Sequence, residues 1–241
     1  MKPHPALTKH YCDLDSKQAF LRKVFDDSAK HYEGIARWGW FNSGDRYRRQ
    51  AVKRAGLEQG MKVIDVGAGT GQTARAAADV VGSPGLVTVV EPSRGMLEES
   101  KKQLDTEHIQ AMANNIPVPD HVYDFLTMGF ALRHVDDLDT AFKEYFRILK
   151  PGGKVLIMDV TLPSSQIGYF FVKLYFKYIL PFLTRIFTGS AAAKYLMSYY
   201  WETMEQMVDS ALVIKSLEAS GFSEVKERIY LGIFSEYEAI K

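Results

Sequence analysis

The chain has 241 residues, which suits one large domain, or one domain with an inserted cap, better than two full domains. Lys plus Arg (30) nearly balances Asp plus Glu (29), and the remaining +1 speaks against a mainly electrostatic nucleic-acid binder. One cysteine, Cys12, excludes an intrachain disulfide and points to a reducing, cytoplasmic compartment, while 46% hydrophobic and 24% charged content rules out a disordered chain.

The N-terminus, Met-Lys-Pro-His-Pro, has no apolar core behind its charge, so no secretory signal is expected. Residues 15–33 read as a helix with Phe20, Leu21, Val24 and Phe25 in register. Residues 34–44 read as a Trp/Gly-rich loop, and 46–55 as a second helix stopped by Gly56. The texture then changes. Short β-branched runs at 62–67, 86–91, 108–112, 122–128 and 154–160 alternate with helical segments at 70–81, 93–104 and 136–149. Such alternation predicts a parallel sheet with right-handed crossovers and helices on both faces. A helix at 204–220 and two strands, 224–230 and 233–240, follow. Only Gly232 offers a turn between those strands, so they should pair antiparallel. The expected fold is α/β and Rossmann-like: seven strands, mostly parallel, ending in an antiparallel hairpin.

Residues 161–201 break the pattern. They hold 12 of the chain's 30 aromatic residues, four Lys or Arg, and no Asp or Glu. The run 167–183 is the most apolar, yet two lysines and Pro181 interrupt it, which makes a poor membrane span. On a helix, Gln166, Lys173 and Lys177 form one narrow stripe and the apolar arc is far wider than a surface helix needs. Pro181 should end or kink that helix. A buried cap helix, a wall for an apolar substrate and a basic docking face for an anionic membrane all fit.

Asp65-Val-Gly67-Ala68-Gly69-Thr-Gly71 sits at a strand-to-helix turn, where glycines let a ligand approach the backbone. A nicotinamide fingerprint requires glycine at position 72, which is Gln72, and a Walker A loop requires a Gly-Lys-Ser/Thr ending that is absent. Glu91 closes the second strand 20 residues after Gly71, where a carboxylate can accept from both ribose hydroxyls of an adenosine. This loop and acid resemble the nucleoside site of class I S-adenosylmethionine (SAM) methyltransferases. The runs Asn114–Asp124, Gly129-Phe-Ala-Leu-Arg133-His134-Val135 and Arg147-Ile-Leu-Lys-Pro-Gly-Gly153 are similar to those enzymes too, most of all to the UbiE/COQ5 family of quinone-ring C-methyltransferases. Val24-Phe-Asp26 and Tyr32 resemble that family's N-terminal segment.

The resemblance implies SAM as cofactor. Asp65, Gly67, Ala68, Gly69 and Gly71 would line its methionyl and ribose part, and Glu91 would hold the ribose. Pro92, Ser93, Met112 and Ala113 would flank the adenine. Tyr32 would close over the cofactor, or serve as plain core. Gly129 would lie beside the methionyl group. Arg133 would face the acceptor and stabilise a phenolate, or else ion-pair with Asp136 or Asp137. His134 would act as a base, with an ordinary pKa of about 6.5, or merely pack. Two departures stand out. Met112 replaces a common Asp, at a net loss on the order of 1 kcal/mol for one adenine hydrogen bond. His134 replaces the family's Asn.

His4, His10, His31, His108 and His121 show no ligand spacing, so no metal is expected. The implied organisation is an N-terminal helical lid (1–56), a SAM-binding core (57–162), an aromatic cap insert (163–202) and a C-terminal helix with the hairpin (203–241). The implied reaction is methyl transfer to a small lipophilic or aromatic acceptor, first of all a quinone-type ring carbon. N- or O-methylation of a phospholipid head group or a natural product remains open, as does a non-catalytic SAM-fold subunit of a membrane complex. Peripheral membrane contact through the insert and an oligomeric state are both compatible with the sequence.

Overall fold

The structure is a computed structural model and describes residues 7, 9–39 and 43–241. The N-terminal pentapeptide with His4, and Trp40, Phe41 and Asn42 of the expected loop, lie outside the described residues. The accessible surface is 11165 Å².

The elements follow in chain order. Helix α1 (Leu14–Gly39) and α2 (Gly44–Arg54) precede β1 (Val63–Val66), α3 (Gln72–Val81), β2 (Val87–Val90), α4 (Arg94–Gln103), β3 (Glu107–Ile109) and β4 (Tyr123–Gly129). Helix α5 (Leu138–Ile148) and β5 (Leu149–Val160) come next. Helix α6 (Gln166–Lys173) runs through a π-helical stretch (Leu174–Ile179) into α7 (Leu180–Thr188). Helices α8 (Ala191–Glu205) and α9 (Ser210–Ala219) and strands β6 (Ser223–Tyr230) and β7 (Phe234–Ile240) complete the fold.

The seven strands lie in the order β3-β2-β1-β4-β5-β7-β6. Pairs from β3 to β5 are parallel, and β7 is antiparallel to both β5 and β6. All four residues of β1 are buried, as a central parallel strand covered on both faces demands. Leu138, Ala141, Phe142, Tyr145 and Ile148 of α5 recur at helical spacing and are buried on one face of the sheet, which α9 shares. Asp137 caps α5 by accepting from the amides of Asp139 (3.0 Å) and Thr140 (3.3 Å). The other face carries α2, α3 and the insert, with Ala74, Ala77, Trp201 and Met204 in its core. The chain leaves β1 toward β2 on one side and returns at β4 on the other. That switch opens a crevice at the carboxyl ends of β1 and β4.

Four local expectations need correction. The N-terminal helix does not stop at residue 33 but continues to Gly39. Gly34 is tolerated because its surroundings are open, while Ile35, buried, extends the apolar stripe. The helix expected at 70–81 begins at Gln72, because Gly71 adopts φ 82 and forms its N-cap. The single helix expected at 204–220 is two, separated where Asp209 caps α9 by accepting from Ala211. Pro181 does not end its helix. The π-helical stretch just ahead widens the turn, so the chain passes the proline without a break.

The α6–α7 helix of the insert is not a fully buried cap helix either. Phe176, Leu180, Pro181 and Thr184 point inward, whereas Phe171, Phe182 and Phe187 are more than 60% exposed. No helix among the described residues is long and apolar enough to cross a membrane.

Candidate active site

A cavity of about 170 Å³ occupies the crevice at the strand ends. Its floor is the turn after β1. Gly67 and Ala68 donate their amides to Val90 O (2.8 and 3.1 Å), which ties the loop to β2. Gly69 has φ 56, and a Cβ built there would meet no protein atom within 4 Å. The backbone is therefore bare toward the cavity, as close approach of a ligand requires.

Glu91 lies beside this loop. Its carboxylate accepts from Gly69 N (2.8 Å) and Ser93 N (2.9 Å). Burial pushes Glu91 up to about 7 against those two backbone donors. Asp65 is fully buried behind the loop and accepts from Thr127 Oγ1 (2.7 Å); burial also raises it to about 7. Two buried carboxylates with raised pKa values beside and behind one strand-end loop mark a candidate functional site.

Helix α1 closes the top. Asp26 accepts from Gly95 N (2.7 Å) and from the Ser93 hydroxyl. A Cβ on Gly95 would lie 2.9 Å from Asp26 Cα, so the two helices touch there. Lys17 pairs with Asp136 (2.6 Å), and Glu33 pairs with Arg75 of α3. These three ties fix α1 across the crevice, where Tyr32 lines the cavity and burial lifts its hydroxyl above the usual range.

The far wall is aromatic and basic. Arg133 donates to Asp159, and both are buried. Its guanidinium lies 4.0 Å from the Tyr200 ring centroid, and Tyr200 stacks on Phe176 at 5.8 Å. Burial works against the Arg133 charge, but Asp159, Tyr200 and Tyr32 outweigh it and hold the group protonated. His134 lines the cavity between Phe25 (5.3 Å, edge-on) and Tyr199 (6.0 Å, stacked).

Of the residues expected at the site, Tyr32, Gly67, Ala68, Gly69, Glu91, Pro92, Ser93, Met112, Ala113, Gly129 and His134 line the cavity together. Asp65, Gly71 and Arg133 stand behind that lining. Arg133 takes neither Asp136, which pairs with Lys17, nor the α5 cap Asp137, because Asp159 on the adjacent strand end meets it first. Among the described residues no cluster of three His, Cys, Asp or Glu side chains is placed to hold a metal.

Arg48 went unnoticed in the sequence. It lines the cavity, 7% exposed, with its guanidinium 5.1 Å from the Phe130 ring centroid. Its Nε has no hydrogen-bond partner among the described residues. Burial lowers its pKa, yet an arginine stays charged. A signal existed: Arg48 sits on the buried stripe of α2 with Ala51 and Val52, where an apolar residue is normal. Phe130 beside it has φ 63, a strained conformation for a bulky residue that costs about 1–2 kcal/mol.

With this geometry in view, comparison decides the class. The sequence model of the ubiE/COQ5 methyltransferase family matches residues 13–241. The chain belongs to that family. It is 32% identical over 227 residues to a demethylmenaquinone methyltransferase of Anoxybacillus flavithermus, covering 89% of this chain and 92% of that protein. It is 34% identical over 231 residues to the ubiquinone/menaquinone biosynthesis C-methyltransferase UbiE of Desulfotalea psychrophila, covering 94% and 92%. A crystal structure of a SAM-dependent methyltransferase from Thermotoga maritima, described as a possible histamine N-methyltransferase, has a TM-score of 0.63 at 21% identity, covering 90% of this chain and 99% of that one. At that identity the likeness shows the fold alone, a Rossmann-like α/β sheet. As a member of the ubiE/COQ5 family, the protein is a SAM-dependent methyltransferase. The residues present fit that cofactor. The bare backbone at Gly69 and the paired Glu91 oxygens form a cradle for a nucleoside, and Met112 and Ala113 offer an apolar strip for its base.

Proposed function

We propose that this methyltransferase methylates a ring carbon of a lipophilic hydroquinone, of the kind its demethylmenaquinone relatives are named for. The observation that carries the reading is Arg48, a buried cation on the cavity lining whose Nε has no hydrogen-bond partner among the described residues. Bound SAM supplies an electrophilic methyl group on a sulfonium. Glu91 would accept from the ribose hydroxyls, and the bare glycine loop would leave room for the sugar and methionyl chain. Arg48 holds one ring oxygen as phenolate, which enriches the neighbouring carbon for attack. The Phe176–Tyr200 stack, backed by Arg133, sets the ring plane. Helix α1 excludes water so that the nucleophile is held near the methyl carbon. C-methylation leaves one ring proton to remove, and His134 on the wall takes it, directly or through one water.

Membrane contact through residues 163–202 belongs to the same reading, since a lipophilic acceptor resides in lipid. N-methylation of a cationic head group is the rival. A buried arginine disfavours it, and two acids of the lining are engaged, Asp136 with Lys17 and Asp137 at the α5 cap.

The test is incubation of the purified protein with labelled SAM and a tail-less demethylated naphthohydroquinone. A ring C-methyl product is expected. Methylation of an amine or an oxygen instead, or no SAM binding by calorimetry, overturns the reading.

A further inference from the structure

We propose that the outer face of the continuous α6–α7 helix docks the enzyme on an anionic lipid bilayer, which rests on the acceptor being lipophilic. Ile167, Phe170, Phe171, Phe182, Ile186 and Phe187 are each 59–74% exposed on this one helix. Single exposed apolar side chains are ordinary, but a contiguous set of this size marks an interaction surface.

Charge selects the occupant. Lys173, Lys177, Arg185 and Lys194 are the only ionised side chains between residues 161 and 201. Lys173 lies 5.4 Å from the Tyr169 ring centroid and Lys177 lies 5.9 Å from that of Tyr178. Each ammonium group thus lies beside a tyrosine ring, and cations beside aromatic rings next to exposed apolar side chains suit a lipid head-group layer. A second copy of the chain would bring the same positive charges face to face, which opposes self-association. The helix is not long and apolar enough to cross the bilayer and is suited to lie in its plane.

The same helix has a second apolar side. Phe176 and Leu180 point inward and line the cavity. The π-helical stretch that contains Phe176 shifts the phase between α6 and α7, so apolar residues reach both sides. Lipid on one side and the acceptor pocket on the other are then one helix diameter apart, about 10 Å.

The test is co-sedimentation of the full chain with phosphatidylcholine vesicles and with vesicles of equal parts phosphatidylcholine and phosphatidylglycerol. Binding to the anionic vesicles that weakens with salt is expected. The variant I167S/F171S/F182S, which replaces none of the residues that line the cavity, should bind them at least about tenfold more weakly. Its SAM affinity and its turnover of the tail-less acceptor should equal those of the wild type. Equal vesicle binding by variant and wild type, or none by the wild type, overturns the proposal. So does light scattering that shows the substitutions splitting a dimer, which would make a second copy the occupant. Failure of the wild type to methylate the tail-less acceptor would instead sink the hydroquinone reading, while the vesicle result would still stand or fall separately.

Discussion

Asp159 accepts a hydrogen bond from Arg133, and both side chains are closed to water. The pair forms the base of a stack that continues through Tyr200 to Phe176. Arg133→Ala would strand a buried carboxylate, at a cost of about 3–5 kcal/mol. Arg133→Met combined with Asp159→Asn should recover most of that stability. Turnover should stay low in both, because Tyr200 loses its cationic support. Urea unfolding and single-turnover kinetics on the two variants check this; recovered turnover in the double variant would reduce Arg133 to a partner for Asp159.

Glu91 gives the ligand-free protein a definite pH response. Burial raises its folded pKa from 4.5 to about 7. Below the unfolded value both states keep the proton and the full stability is present. Between about 4.5 and 7 the unfolded chain releases its proton first, so stability falls as pH rises, by up to about 3 kcal/mol. Asp65 acts with the same sign. The melting temperature should therefore drop across this window, and less steeply in Glu91→Gln. SAM affinity should run the other way. Ribose hydroxyls donate to the ionised carboxylate, so binding weakens below about pH 7, approaching tenfold per pH unit. Calorimetry in buffers of different ionisation enthalpy would detect the released proton.

Gly69→Val should abolish SAM binding in a chain that still folds. A Cβ there would meet no protein atom within 4 Å, but a valine would fill the cradle and force a β-branched residue to φ 56. Circular dichroism and SAM titration separate the two effects; retained binding would argue against the loop as the nucleoside site.

Asp26→Ala removes two acceptor contacts between α1 and the start of α4. The loss should be about 1–3 kcal/mol. Its main effect should be on the lid: KM for SAM rises several-fold, kcat changes less, and α1 becomes easier to cleave in limited proteolysis. A fall in kcat alone would place Asp26 in the chemistry rather than the closure.

The sheet was legible because its strands are short β-branched runs cut off by glycines. The glycine loop and Glu91 carry a spacing that few ligands share. Other features depended on tertiary partners. Arg48 sits at a position whose pattern calls for an apolar side chain, and only the cavity beside it explains a cation there. Gly34 looks like a helix stop, yet burial of Ile35 one residue later carries α1 onward. The break before α9 turns on a single cap, Asp209. The insert's apolar arc was visible, but not its division between cavity and solvent, because the π-helical stretch changes the phase midway.

Strand β7 follows β6 in the chain yet lies between it and β5. On the ribosome, then, β5 presents a naked ladder edge until residues 234–240 have emerged. Stalled or truncated chains that end before this strand should be the sticky species of this protein, prone to edge-to-edge association and dependent on chaperones.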